Sequence, residues 1–111
     1  MAIKKIEDME EYLWILSSTE ASRLVVVYFS SMKKGSCRLI RPTFERLARQ
    51  YQDVTFAEVD VDQAKQVALD VGVSSIPTFH FYKDTEKVGE FSGADEGRLV
   101  ALTEKHRRSE F

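Results

Sequence analysis

Cysteine is nearly missing from this chain: 111 residues contain one, at position 37. A single thiol closes no intramolecular disulfide. With only two histidines, far apart at His80 and His106, it completes no structural zinc site either. Proline is limited to two residues and glycine to five, which excludes collagen-like, low-complexity and linker-rich chains. No apolar run approaches the roughly 18 residues of a membrane span. The opening Met1-Ala2-Ile3-Lys4-Lys5-Ile6-Glu7-Asp8 turns acidic where a signal peptide would turn apolar. Neither charge sign dominates: 16 basic and 18 acidic residues leave a formal charge of −2, which argues against broad binding to nucleic acid or a membrane surface. Asp60 to Asp62 and the residues after them lack the glycine and terminal glutamate of an EF-hand, and no phosphate loop or dinucleotide fingerprint is present. The expectation is a reduced, cytoplasmic chain without metal or cofactor.

What is present is enough for one core, with 43% hydrophobic and 11% aromatic residues in a length that suits one domain. Ala2 to Ile6 is an expected edge strand. Met9, Tyr12, Leu13 and Leu16 fall at helical spacing behind an acidic first turn. Leu24 to Phe29 is apolar without alternation, the pattern of a strand buried on both faces of a parallel sheet. After the polar stretch Ser30 to Ser36 a long helix follows, with Ile40, Phe44, Leu47, Ala48 and Tyr51 on one side. Pro42 inside it implies either a kink or a later start. Val54 to Val61 is a strand, and Asp62 is placed to cap a short helix that ends at Gly72. Thr78 to Tyr82 and Val88 to Ser92 flank a polar five-residue turn, Lys83 to Lys87, as an antiparallel hairpin. Asp95 caps a last helix bearing Leu99, Leu102 and His106. His80 is expected to be a partly exposed sheet residue, and His106 to suit a helix C-terminus. The order is βαβαβαββα, an α/β domain over residues 1–107 with a short tail, 108–111.

Several junctions carry a resemblance. Leu24-Val25-Val26-Val27-Tyr28-Phe29-Ser30, Cys37-Arg38-Leu39-Ile40-Arg41-Pro42, Phe56-Ala57-Glu58-Val59-Asp60-Val61-Asp62, Val73-Ser74-Ser75-Ile76-Pro77-Thr78-Phe79 and Val88-Gly89-Glu90-Phe91-Ser92-Gly93-Ala94 occur in this order and spacing. Together they resemble the thioredoxin family, closest to its eukaryotic cytosolic members, from about Ile3 to His106. The resemblance implies the thioredoxin fold: a central mixed sheet, parallel strands plus a C-terminal antiparallel hairpin, flanked by four helices. It also implies a cis peptide at Ile76-Pro77.

The chain departs from the family where the chemistry resides. The family motif is Trp-Cys-Gly-Pro-Cys; here it is Lys33-Lys34-Gly35-Ser36-Cys37. By the resemblance, Lys34 replaces the attacking cysteine, Ser36 the proline, and Tyr28 the buried aspartate that helps to move the proton. Only the resolving cysteine remains, as Cys37. Disulfide reduction needs a thiolate to attack and a second thiol to release the mixed disulfide. An ammonium is no sulfur nucleophile, and a phenol with its usual pKa near ~10 is a poor base at neutral pH.

Two readings of Cys37 follow from its surroundings. Lys33, Lys34 and Arg38 at a helix start favour a thiolate and a redox-sensitive handle; a buried resolving position is inert and serves packing. Lys33, Lys34, Arg38, Arg41, Arg46 and Arg49 face only Glu45 over the same stretch. That run is either a surface for acidic partners and anions, glutathione included, or an ordinary solvated helix face. In this family the residue before the cis-proline pairs with an extended peptide, so Ser75, Ile76 and Pro77 with Gly93 and Ala94 are candidates for a peptide groove beside Lys33, Gly35 and Ser36. Two functions are therefore weighed. One is a binding module for an acidic or thiol-bearing protein or extended peptide, without dithiol activity. The other is a monothiol redox protein whose Cys37 forms mixed disulfides with glutathione or a partner thiol.

Overall fold

The structure, a computed structural model, describes residues 3–108. Five strands form one sheet in the order β1-β3-β2-β4-β5. Strands β1 (Ile3–Lys5), β3 (Thr55–Asp60) and β2 (Val25–Ser30) run parallel. Strands β4 (Thr78–Lys83) and β5 (Glu86–Ser92) are added antiparallel. All six residues of β2 are buried, because helices cover both faces of the sheet. Val26 and Tyr28 point into a cluster with Ile40, Phe44 and Leu47 of α2 (Gly35–Gln50) and Leu99 of α4 (Glu96–Arg108). Val25, Val27 and Phe29 point the other way, onto Tyr12, Ile15 and Leu16 of α1 (Met9–Ser18) and Val67 of α3 (Lys65–Val71). The absence of polar alternation in β2 is thus the signature of two cores sharing one strand.

Local sequence chemistry explains several of the helix boundaries. Asp8 caps α1 by accepting from the Glu11 amide at 2.8 Å, and Asp95 caps α4 by accepting from the Arg98 amide at 3.0 Å. Gly72 ends α3 at φ 86°, a left-handed conformation that glycine adopts without steric cost. Helix α2 begins at Gly35, ahead of Pro42, which excludes the later start.

Several expectations are corrected. Leu13 does not join the buried face of α1: Ile15 does, and Leu13 is 57% exposed. Positions 12, 15 and 16 share a face at 3.6 residues per turn, and position 13 turns away from it. Asp62 does not cap α3, whose N-cap is Ala64 without a side-chain bond. A turn in which the Gln63 and Ala64 amides donate to the Asp60 carbonyl intervenes, and the Asp62 carboxylate accepts from Ser31 Oγ at 2.6 Å instead. Tyr51 is the C-cap of α2 rather than part of it.

The hairpin turn is also shorter than expected. Lys83 pairs with Glu86, leaving two residues, Asp84 (φ 52°) and Thr85 (φ 68°), in the left-handed pair that a tight hairpin demands. The Ser22 amide donates to Asp84 Oδ1 at 2.8 Å and pins that turn. His80 is 4% exposed, because its side chain lies on the sheet face covered by α1 and α3. His106 packs its ring 6.0 Å from that of Phe81. It stands in the last turn of α4, as expected; burial first, then Lys105 and Lys83, lowers its pKa. Ala2 of the expected edge strand and residues 109–111 of the expected tail lie outside the described residues; α4 itself runs through Arg108.

Candidate functional site

Sheet register gathers three loops at the C-terminal end of β2. Phe29 faces Thr78 across the β2–β4 pair, so Pro77 falls next to the exit of β2 into the loop Ser31–Lys34. Thr78 faces Ser92, which brings Gly93 beside Pro77, and the Gly93 amide donates to the Pro77 carbonyl at 2.9 Å. Gly93 takes φ 103°, open to glycine and rarely to other residues. The Ile76–Pro77 peptide is cis. Pro77 is buried, and Ile76 and Ala94 pack partly buried against the core cluster that holds Cys37 and Tyr28. Ser75 is exposed, and its carbonyl accepts from Thr78 Oγ1.

The loop and the start of α2 present their charges outward and their sulfur inward. Lys33, Lys34 and Gly35 are exposed, and Ser36 is half-buried. Lys34 is the N-cap of α2 and offers no side-chain acceptor to the free amides of the first turn. Cys37 is 2% exposed. Its Sγ accepts from the Ser31 amide at 3.4 Å on the inner side of the loop. Arg38, next in sequence, is exposed, and its guanidinium folds back to donate to the Met32 carbonyl at 2.8 Å. Thiol chemistry with an outside disulfide would require this loop to open.

Tyr28 lies beneath Cys37 and is fully buried. Its hydroxyl donates to the Cys37 carbonyl at 2.9 Å, and its ring stacks on Phe79 at 4.8 Å with an interplanar angle of 6°. Burial, aided by Cys37 and opposed by Arg41, pushes the phenol far above its ordinary pKa. Tyr28 is therefore a neutral strut between β2 and the first turn of α2. Its hydroxyl is occupied as a donor to a backbone oxygen.

One feature of the site escaped the sequence reading. Glu58, 5% exposed on β3, accepts from Ser30 Oγ at 2.7 Å and pairs with the Arg41 guanidinium, which lies 5.5 Å over the Tyr28 ring. A carboxylate in the otherwise apolar Phe56-Ala57-Glu58-Val59 is the signal that could have revealed it, since a charge there demands a partner. Arg41 stands one helical turn after Cys37. Ser31 was missed as well, although its amide meets the thiol and its hydroxyl donates to Asp62.

The basic run does not form one surface. Arg41 pairs with Glu58 and Glu45, Arg46 lies exposed further along α2 with its Nη1 3.4 Å from Gln50 Oε1, and Arg49 stands at the far end of α2. Only Lys33, Lys34 and Arg38 remain at the loop. His80 is likewise no free base. Its Nδ1 lies 3.4 Å from the Tyr82 hydroxyl and its Nε2 3.6 Å from Glu90; burial, then Lys87, lowers its pKa to about 4, with Glu90 opposing. Among the described residues no group of three or more His, Cys, Asp or Glu side chains is arranged to hold a metal ion. Nor is any helix long and apolar enough to cross a membrane.

Comparison with known proteins agrees with this fold. The thioredoxin family model matches residues 5–105. Thioredoxin of Mus musculus is 46% identical over 99 residues, covering 89% of this chain and 93% of its own length. Thioredoxin of Ophiophagus hannah is 42% identical over 104 residues, covering 94% and 98%. The crystal structure of Fasciola hepatica thioredoxin superposes with a TM-score of 0.90 at 36% identity, over 94% of this chain and 99% of that one. The chain belongs to the thioredoxin family.

Proposed function

We propose that this member of the thioredoxin family has given up dithiol–disulfide exchange and works as a binding module. Its occupant is a protein or extended peptide held at the end of the sheet where Lys33, Gly35 and Ser36 meet Ser75, Ile76, Pro77, Gly93 and Ala94. The observation that carries this reading is the pairing of an exposed ammonium at Lys34, the N-cap of α2, with a Cys37 that is 2% exposed. Two-thiol exchange needs an accessible thiolate and a second sulfur to resolve it; here the accessible position has no sulfur and the sulfur is not accessible. Backbone groups next to a cis-proline suit pairing with an added extended strand, and Lys33, Lys34 and Arg38 favour acidic partners. A reducing, cytoplasmic environment is the compartment this reading assigns, consistent with a chain that carries one thiol.

The test is twofold. Cys37 in the native protein should react with a thiol probe at least about a hundredfold more slowly than in denaturant, because labelling waits for local opening. Amide shifts on adding an acidic extended peptide should centre on Ser75, Ile76 and Gly93. Fast native labelling with mixed-disulfide formation by glutathione would favour the monothiol redox function instead.

A further inference from the structure

A cavity of about 730 Å³ lies at the opposite end of the sheet and takes no part in the site above. Its walls come from Lys4 on the edge strand β1, Arg23 ahead of β2, Arg49 near the end of α2, and Gln52 and Thr55. Ala48 and Val54, each 3% exposed, are its apolar lining residues. Three cations line it, and among the described residues no Asp or Glu does; Glu20 lines an adjoining cleft that shares Lys4, Arg23 and Thr55. Arg23 is held in place without being neutralised: Nε donates to Thr55 Oγ1 at 2.9 Å and Nη2 to the Gln52 carbonyl at 2.7 Å. Lys4 and Arg49 have no ionic side-chain partner among the described residues.

Cations lining one cavity repel one another, and an anion among them turns that repulsion into attraction. Guanidinium forks match phosphate oxygens, and a fork fixed in advance loses little freedom on binding. The volume lies in the range of small-molecule sites, roughly 300–1,000 Å³. The geometry points to a binding site for an organic phosphate of nucleotide size. Its phosphates would meet Arg23, Arg49 and Lys4, and its apolar portion would rest on Ala48 and Val54. Cys37 and Arg49 are separated by on the order of 18 Å along α2, so this cavity lies apart from the proposed peptide groove.

The test is a titration of the 15N-labelled chain at low salt with two metal-free probes, sodium pyrophosphate and adenosine diphosphate, each to about 10 mM. Saturating shifts are expected at the Arg23 and Arg49 Nε–H and the Val54 and Thr55 amides, with adenosine diphosphate the tighter probe. Arg49→Ala, a change at an exposed side chain, should weaken it about tenfold or more. The site is overturned by any of three results: no shift at Arg23 and Arg49, unsaturable shifts spread over the surface cations, or shifts centred on Lys33 to Gly35 at the start of α2. Equal affinity for the two probes would overturn the apolar half of the site.

Discussion

Replacing Arg41 with leucine takes the guanidinium away from Glu58 and leaves a carboxylate that is 5% exposed with only Ser30 Oγ, at 2.7 Å, to satisfy it. Breaking a buried ion pair from one side costs about 3–5 kcal/mol, because the remaining charge is neither solvated nor paired. Arg41 is 25% exposed, so water already screens the pair and reaches the gap, which places the loss at about 3 kcal/mol. The contact of Arg41 with the Tyr28 ring at 5.5 Å adds up to about 1 kcal/mol. For a domain of this size that is a fall in Tm of about 15 °C or more. Far-UV circular dichroism in urea at neutral pH is the assay, since Trp14, the single tryptophan, is 65% exposed and its fluorescence reports unfolding poorly. Adding Glu58→Gln removes the stranded charge while keeping an acceptor for Ser30, and should recover at least half of the loss. A loss below about 1 kcal/mol, or a double variant no more stable than the single one, would refute the view that this pair joins α2 to the sheet.

Three further outcomes follow from the same geometry. Thr85 holds φ 68° in the hairpin turn; Thr85→Gly relieves about 1–2 kcal/mol of left-handed strain against about 0.5–1 kcal/mol of added chain entropy, so Tm should rise by a few degrees. Tyr28→Phe deletes the hydroxyl that donates to the Cys37 carbonyl at 2.9 Å. It should cost about 1 kcal/mol in a urea melt, and a neutral result would remove its role as a strut. The pKa of His80 is lowered to about 4, so between that value and the usual ~6.5 the unfolded chain binds the extra proton. The stability that neutral His80 contributes is full above pH ~6.5 and is lost as pH falls towards 4. His80→Gln should flatten this part of the stability profile by on the order of 2–3 kcal/mol, and an unchanged slope would contradict the assignment.

Strand β2 and the buried face of α2 were legible because each is a pattern of many residues. Six apolar positions in a row, or Ile40, Phe44, Leu47 and Ala48 at helical spacing, survive an error at any single one. The features that were misread depend on one residue meeting a distant one. Asp62 looks like a helix cap until Ser31, 31 positions away, takes its carboxylate. The two-residue turn was hidden because Asp84-Thr85 lacks the glycine that usually marks left-handed backbone; the turn is imposed by the pairing of Lys83 with Glu86 and by the Ser22 amide. The sequence pattern leaves His80 partly exposed because the covering of its sheet face by α1 and α3 is a tertiary fact. The run of cations on α2 was legible as charge but not as geometry. A helix of 16 residues spans about 24 Å, so Lys34 and Arg49 belong to opposite ends of the molecule.

The proposed binding function rests on Lys34 standing where the family carries its attacking cysteine. Insulin reduction with dithiothreitol as donor tests it most directly, comparing the native chain with Lys34→Cys, alone and together with Tyr28→Asp. The native chain should give no acceleration over dithiothreitol alone, and Lys34→Cys a clear gain. Acceleration by the native chain that Cys37→Ser abolishes would contradict the proposed function.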